Sequence, residues 1–190
     1  SLPKLPFRVS SMKSAILSAL VATMALGAGF GDEANANERD RKFFNQVKGE
    51  WVGPGEIVAG KYKGTKFTCT FTGSTPGEQI GMTLDGSCRV GLFTQRMSAS
   101  VQRKGNGYRG TFMDGAAGKG LDVVSGNVNG SKVVFSLNRS SLKGAMIAKL
   151  ASEDNMTVTV SVRVAKELVP VIGMNLKRVD GSSVGSVAQK

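Results

Sequence analysis

Histidine is absent from all 190 residues. That excludes imidazole general acid/base chemistry, Ser-His-Asp and Cys-His nucleophile pairs, and His-ligated zinc or haem. Cysteine is nearly as scarce: Cys69 and Cys88 are the only two, too few for a metal-ligand cluster. Acidic residues number 14 against 25 Lys and Arg, and no two sit at a spacing that specifies a catalytic carboxylate pair. A non-enzymatic protein with no cofactor and no metal is the expectation. Aromatic residues make up 6% of the chain, a poor supply for the aromatic girdles of a membrane β-barrel.

What is present has a consistent character. Hydrophobic residues at 41% and charged residues at 21% describe an ordinary globular chain, and 25 glycines with a formal charge of +11 suit short strands, tight turns and a basic surface. The start reads differently. Met12-Lys13 precedes a run from Ala15 to Phe30 that is small or apolar except for Ser18 and Thr23, ending in Ala34-Asn35-Ala36. A charged start, an apolar stretch and an A-x-A site make a secretory signal peptide. The run is short of the ~20 residues that span a membrane. Residues 1–36 are therefore assigned to an upstream segment and signal peptide, with Met12 as a plausible initiator. The mature protein would be periplasmic or secreted and not membrane-spanning.

Residues 38–48 are the best helix candidate, with Phe43, Phe44 and Val47 forming one apolar stripe. Beyond Gly49 the hydrophobic period becomes two. Phe67, Cys69 and Phe71 alternate with polar residues, as do Ile80, Met82 and Leu84, then Met97, Ala99 and Val101, and finally Met156 to Val164. This is the pattern of half-buried strands. Asn106-Gly107 and Asn129-Gly130 are strong hairpin-turn pairs, with Asp85-Gly86 and Asp114-Gly115 weaker ones. Residues 143–151 and 165–169 are also compatible with helix. The domain reading is a helix over 37–48, a β-barrel over 49–179 and a flexible tail over 180–190. Short connections favour an all-β, antiparallel, up-and-down barrel of eight to ten strands.

In an oxidising compartment, Cys69 and Cys88 are expected to form a disulfide. Closing this loop of roughly 20 residues is worth about 3 kcal/mol. An Asp85-Gly86 turn stands against it, because it would place Cys88 two strands from Cys69, roughly 9.6 Å away and beyond bridging range.

Other motifs weaken on inspection. Gly105-Asn-Gly107-Tyr-Arg-Gly110 spells a dinucleotide fingerprint, but strands flank it on both sides. Gly118-Lys119-Gly120 lacks the first glycine and the Ser/Thr of a phosphate loop. Three N-glycosylation patterns, at Asn129, Asn138 and Asn155, stand in a chain whose signal peptide looks bacterial. The cations Lys61, Lys63, Lys66, Arg89, Arg96, Arg103, Lys104 and Arg109 would make either a polyanion stripe or a solvated exterior. Nucleic acid is not an expected partner, since only Tyr62 and Tyr108 interleave with them.

Gly49-Glu50-Trp51, between the short helix and the first strand, resembles the lipocalin G-x-W signature. The resemblance implies an eight-stranded barrel whose Trp plugs the closed end beneath an Arg from the last strand, here Arg178. A weaker likeness is to bacterial periplasmic metalloprotease-inhibitor barrels, in the layout of Gly49–Trp51, Cys69 and Met82-Thr-Leu-Asp-Gly-Ser-Cys88. That family's inhibitory N-terminal trunk would map onto 37–48. The first functional expectation is a small apolar or amphipathic ligand held inside the barrel by Phe67, Phe71, Met82, Met97, Val101, Phe112, Phe135 and Val160. The same side chains would equally fill a solid core. The alternatives are a protein-interaction barrel of the envelope, a protease inhibitor or scaffold, or a surface for an anionic envelope component.

Overall fold

The protein is described from a computed structural model, which covers residues 30–113 and 120–179. The chain divides into two compact units, Ser1–Asn35 and Ala36–Lys190, and the second contains the barrel. The apolar run read as a signal peptide, the expected Asp114-Gly115 turn, Gly118-Lys119 and the expected tail over 180–190 lie outside the described residues.

A helix, α1 (Phe30–Val47), leads into ten strands: β1 (Gly49–Ile57), β2 (Lys66–Ser74), β3 (Gly81–Val90), β4 (Phe93–Lys104), β5 (Gly107–Met113), β6 (Leu121–Asn129), β7 (Lys132–Arg139), β8 (Leu142–Ser152), β9 (Asn155–Val164) and β10 (Glu167–Arg178). Each strand pairs antiparallel with the next, and β10 pairs with β1 to close the barrel. The strand count lies at the top of the expected range, and above the eight that the lipocalin resemblance implies. α1 starts earlier than the expected 38–48, so Ala34-Asn35-Ala36 lies within helix.

Tight hairpins build most of the wall. The pairs Lys104↔Gly107 and Asn129↔Lys132 leave Gly105-Asn106 and Gly130-Ser131 as the central residues. The first turn is one residue earlier than the Asn-Gly reading and the second one residue later. The reason is backbone conformation: Gly105 and Gly130 take φ of 59° and 58° at the first central position, which glycine occupies without strain. Residues 143–151 are strand, and Ala165-Lys166 turns β9 into β10. The helical alternatives for both stretches therefore fall.

The Asp85-Gly86 turn also falls. Both residues lie inside β3, opposite Ser98 and Met97 of β4. Gly86 is there for close approach: a Cβ would lie 2.0 Å from the Thr70 carbonyl oxygen and 2.7 Å from the Phe71 ring. Gly53 does the same in β1, where a Cβ would lie 1.9 Å from the Asn175 carbonyl oxygen. Glycines at such points let strongly curved strands close on themselves.

With Gly86 in the strand, Cys69 stands directly opposite Cys88 in register, and the two form a disulfide with Cα atoms 4.0 Å apart. Cys69 lies on the inward face and is fully buried. The bridge ties β2 to β3 inside the barrel, where its Cys69 sulfur lies 3.9 Å from the Met174 sulfur.

Candidate functional site

The two ends of the barrel differ. At one end α1 turns its apolar stripe inward, and Phe43, Phe44 and Val47 are buried. Asp40 is on the same stripe and is 2% exposed. Its carboxylate accepts hydrogen bonds of 2.6 Å from the Arg103 guanidinium and 2.6 Å from the Tyr108 hydroxyl. A buried carboxylate is tolerated only when paired and hydrogen-bonded, and here both conditions are met. Burial, followed by the hydrogen bond to Asp40 and its negative charge, pushes the Tyr108 hydroxyl pKa well above its ordinary value, with Arg103 opposing. Arg103, read from the sequence as part of either a polyanion stripe or a solvated exterior, is instead a latch between wall and helix. Of the other cations in that stripe, Lys61, Lys63, Lys66 and Arg89 flank loops at the opposite end, so the stripe is not continuous.

Gly49, Trp51 and Arg178 complete the plug. Trp51 is fully buried, and its indole N–H donates to the Val47 carbonyl at 2.9 Å. Arg178, opposite Trp51 in register, places its guanidinium 4.3 Å from the centre of the indole ring. It donates to the Gln46 carbonyl at 2.6 Å and to the Lys48 carbonyl. The last turn of α1 has no basic residue of its own. Arg178 therefore supplies from β10 the cation and donors that a helix C-terminus needs. Gly49 follows from this geometry, with a φ of 111° and a Cβ position only 2.8 Å from Arg178 Nη1.

An aromatic column runs from this plug into the interior. Ring centres are 5.4 Å apart for Phe43–Phe44, 5.5 Å for Phe44–Tyr108, 5.8 Å for Tyr108–Phe135 and 6.3 Å for Phe135–Phe112. Such edge-to-face and tilted contacts suit the ring quadrupoles. All eight expected interior residues belong to one apolar cluster, but at two levels of burial. Phe71, Met82, Val101 and Phe135 are buried by their neighbours. Phe67, Met97, Phe112 and Val160 are only partly buried, as are Leu121, Met146 and Met174 beside them. The sequence reading missed these last three. Alternation was the available signal for Met146 and Met174, which face inward with Leu150 and Leu176.

No protein-family model matches the chain, nor does any curated protein. Among solved structures, Rv2717c from M. tuberculosis matches at 12% identity with a TM-score of 0.53, over 74% of this chain and 98% of that one. A DUF3598-family protein of unknown function from Nostoc punctiforme matches at 16% identity and a TM-score of 0.47, over 71% of this chain and 48% of that chain. The likeness to Rv2717c is one of fold. Among the described residues, no group of three or more Cys, Asp or Glu is placed to hold a metal ion. No described helix is long and apolar enough to cross a membrane.

Proposed function

We propose that the protein is a non-enzymatic binder that holds a small apolar or amphipathic molecule in the half of the barrel away from α1. One observation carries this reading: the fall in burial along the inward face. Most side chains near the plug, Ile80 excepted, are sealed by α1 and by one another, whereas Phe67, Met97, Phe112 and Val160 keep part of their apolar surface uncovered. Apolar surface inside a concavity, with few polar groups, is the usual character of a small-molecule site. Phe71, Met82, Val101 and Phe135 then form the floor and wall rather than the contact surface.

The compartment is part of the proposal. The charged start, apolar run and A-x-A site support export to the periplasm or beyond, and a disulfide is at home there. Kinship with lipocalin-like barrels draws support from Gly49-x-Trp51 under Arg178, while ten strands set this barrel apart from the eight-stranded pattern.

Displacement of an apolar fluorophore such as anilinonaphthalene sulfonate tests the site. Val160→Trp places a large ring in the open half and should weaken probe binding roughly tenfold or more, about 1.4 kcal/mol or above. Thr157→Trp, on the outer face of the same strand, should leave it unchanged. Equal binding by both variants would sink the interior site.

A further inference from the structure

We infer that the open end of the barrel docks on a lipid surface that carries anionic headgroups. In an up-and-down barrel alternate connections lie at the same end, so the β1–β2, β3–β4, β7–β8 and β9–β10 connections all surround the end opposite α1. Ten large apolar side chains are exposed among the described residues, and all but Val124 and Ile147 lie on or beside these four connections.

Their placement is concentrated at protruding tips. Leu92 is 98% exposed and Phe93 82% exposed, at the turn of the β3–β4 hairpin. Among the described residues, β5 pairs with β4 only from Ser98 onward. Val164 and Leu168 flank the β9–β10 turn, which projects past the last β1 partner at Ile172. Tyr62, 63% exposed, crowns the β1–β2 loop. Isolated exposed apolar residues are ordinary, but several gathered at one end of a molecule mark a contact surface.

Charge identifies the occupant. Among the described residues, Lys61, Lys63, Arg89, Lys143, Arg163 and Lys166 are interspersed with these tips and exposed, against the acids Glu56, Asp122 and Glu167. None of the six pairs with a carboxylate among the described residues. Apolar tips that enter the acyl boundary, ringed by cations at headgroup level, are complementary to an anionic membrane surface. A protein partner would need an apolar patch surrounded by acids, and nothing in the molecule selects one. At the α1 end the described residues include no exposed large apolar side chain. Docking in this orientation would turn the half-buried interior toward the lipid, but the surface stands whether or not the interior carries a ligand.

The test is flotation of chain 36–190, the compact barrel unit, with phosphatidylcholine vesicles containing or lacking phosphatidylglycerol. The expected result is binding to the anionic vesicles that weakens as salt rises, with little binding to phosphatidylcholine alone. The double variant Leu92→Ser/Phe93→Ser should lose roughly tenfold or more in partitioning while keeping the disulfide and the wild-type circular dichroism. Leu92→Trp should show a blue-shifted emission on anionic vesicles, against the buried Trp51 as background. Three outcomes would overturn the proposal: no binding to anionic vesicles, undiminished binding by the serine variant, or binding only to soluble polyanions. A salt-stable dimer abolished by the serine substitutions would also overturn it, assigning the tips to a second copy of the chain.

Discussion

Replacing Asp40 by alanine should loosen the helix plug, and the cost can be worked from the contacts. The Tyr108 hydroxyl is buried and has Asp40 as its acceptor, so it would be left unsatisfied at about 1–3 kcal/mol. Arg103 would lose its 2.6 Å carboxylate partner. Breaking a fully buried pair from one side costs about 3–5 kcal/mol. Here the figure must be discounted, because the Arg103 side chain is 15% exposed and still donates to the Gly105 carbonyl. The two terms overlap, so the expected loss is about 3 kcal/mol. Urea unfolding of 37–190 followed by far-ultraviolet circular dichroism reads it as a fall in midpoint at constant slope. Adding Tyr108→Phe to Asp40→Ala removes the orphaned hydroxyl, so the pair should be less destabilised than the sum of the singles, by about 1 kcal/mol or more. A loss below about 0.5 kcal/mol for Asp40→Ala, the size of an ordinary surface change, would refute the latch.

Two further outcomes follow from the same contacts. Because the folded-state pKa of Tyr108 is raised above its ordinary value near 10, its contribution is complete below that pH and is lost as pH rises beyond it. Stability should therefore fall in the alkaline range, and Tyr108→Phe should remove that slope. In a Tyr62→Phe background the tyrosinate absorbance belongs to Tyr108 alone, and titration near pH 10 in the folded state would refute its burial against Asp40. Reduction of Cys69–Cys88 should cost about 3 kcal/mol by loop-closure entropy, measured as a shift in urea midpoint with and without reductant. An unchanged midpoint would mean that cross-strand pairing alone fixes the register.

The strands were legible because inward and outward faces differ in chemistry along most of them. Met156 to Val164 is the clearest case, since β-branched and apolar residues alternate there with Thr, Ser and Arg. β8 was ambiguous because outward-facing Ala145 and Ile147 are apolar too, which blurs the period around Gly144, Met146, Ala148 and Leu150. Asp85-Gly86 imitated a turn because local chemistry does not reveal that the Phe71 ring lies over Gly86 from the next strand. The latch was the deepest miss. Asp40 is 63 residues from Arg103 and 68 from Tyr108, and only the fold brings them together. A signal existed nonetheless: Asp40, Phe43, Phe44 and Val47 fall at i, i+3, i+4 and i+7, which puts a carboxylate on an otherwise apolar stripe. An acid in that position needs a buried partner.

The exposed tips were hidden for a different reason. Leu92 and Phe93 follow the alternating run of β3 and look like its continuation, until the register Val90↔Phe93 places them at a turn. No local pattern distinguishes an apolar residue that ends a strand inside a core from one that ends it in solvent.

The central claim is that the half of the barrel beyond the Phe135–Phe112 contact holds a small apolar or amphipathic molecule. Native mass spectrometry of 37–190 isolated from its source, followed by denaturing analysis of anything released, tests it most directly. The expected result is a mass excess that is lost on denaturation and reduced in Val160→Trp. A polypeptide at its sequence mass less the two hydrogens of the Cys69–Cys88 bridge, with nothing released, would contradict it.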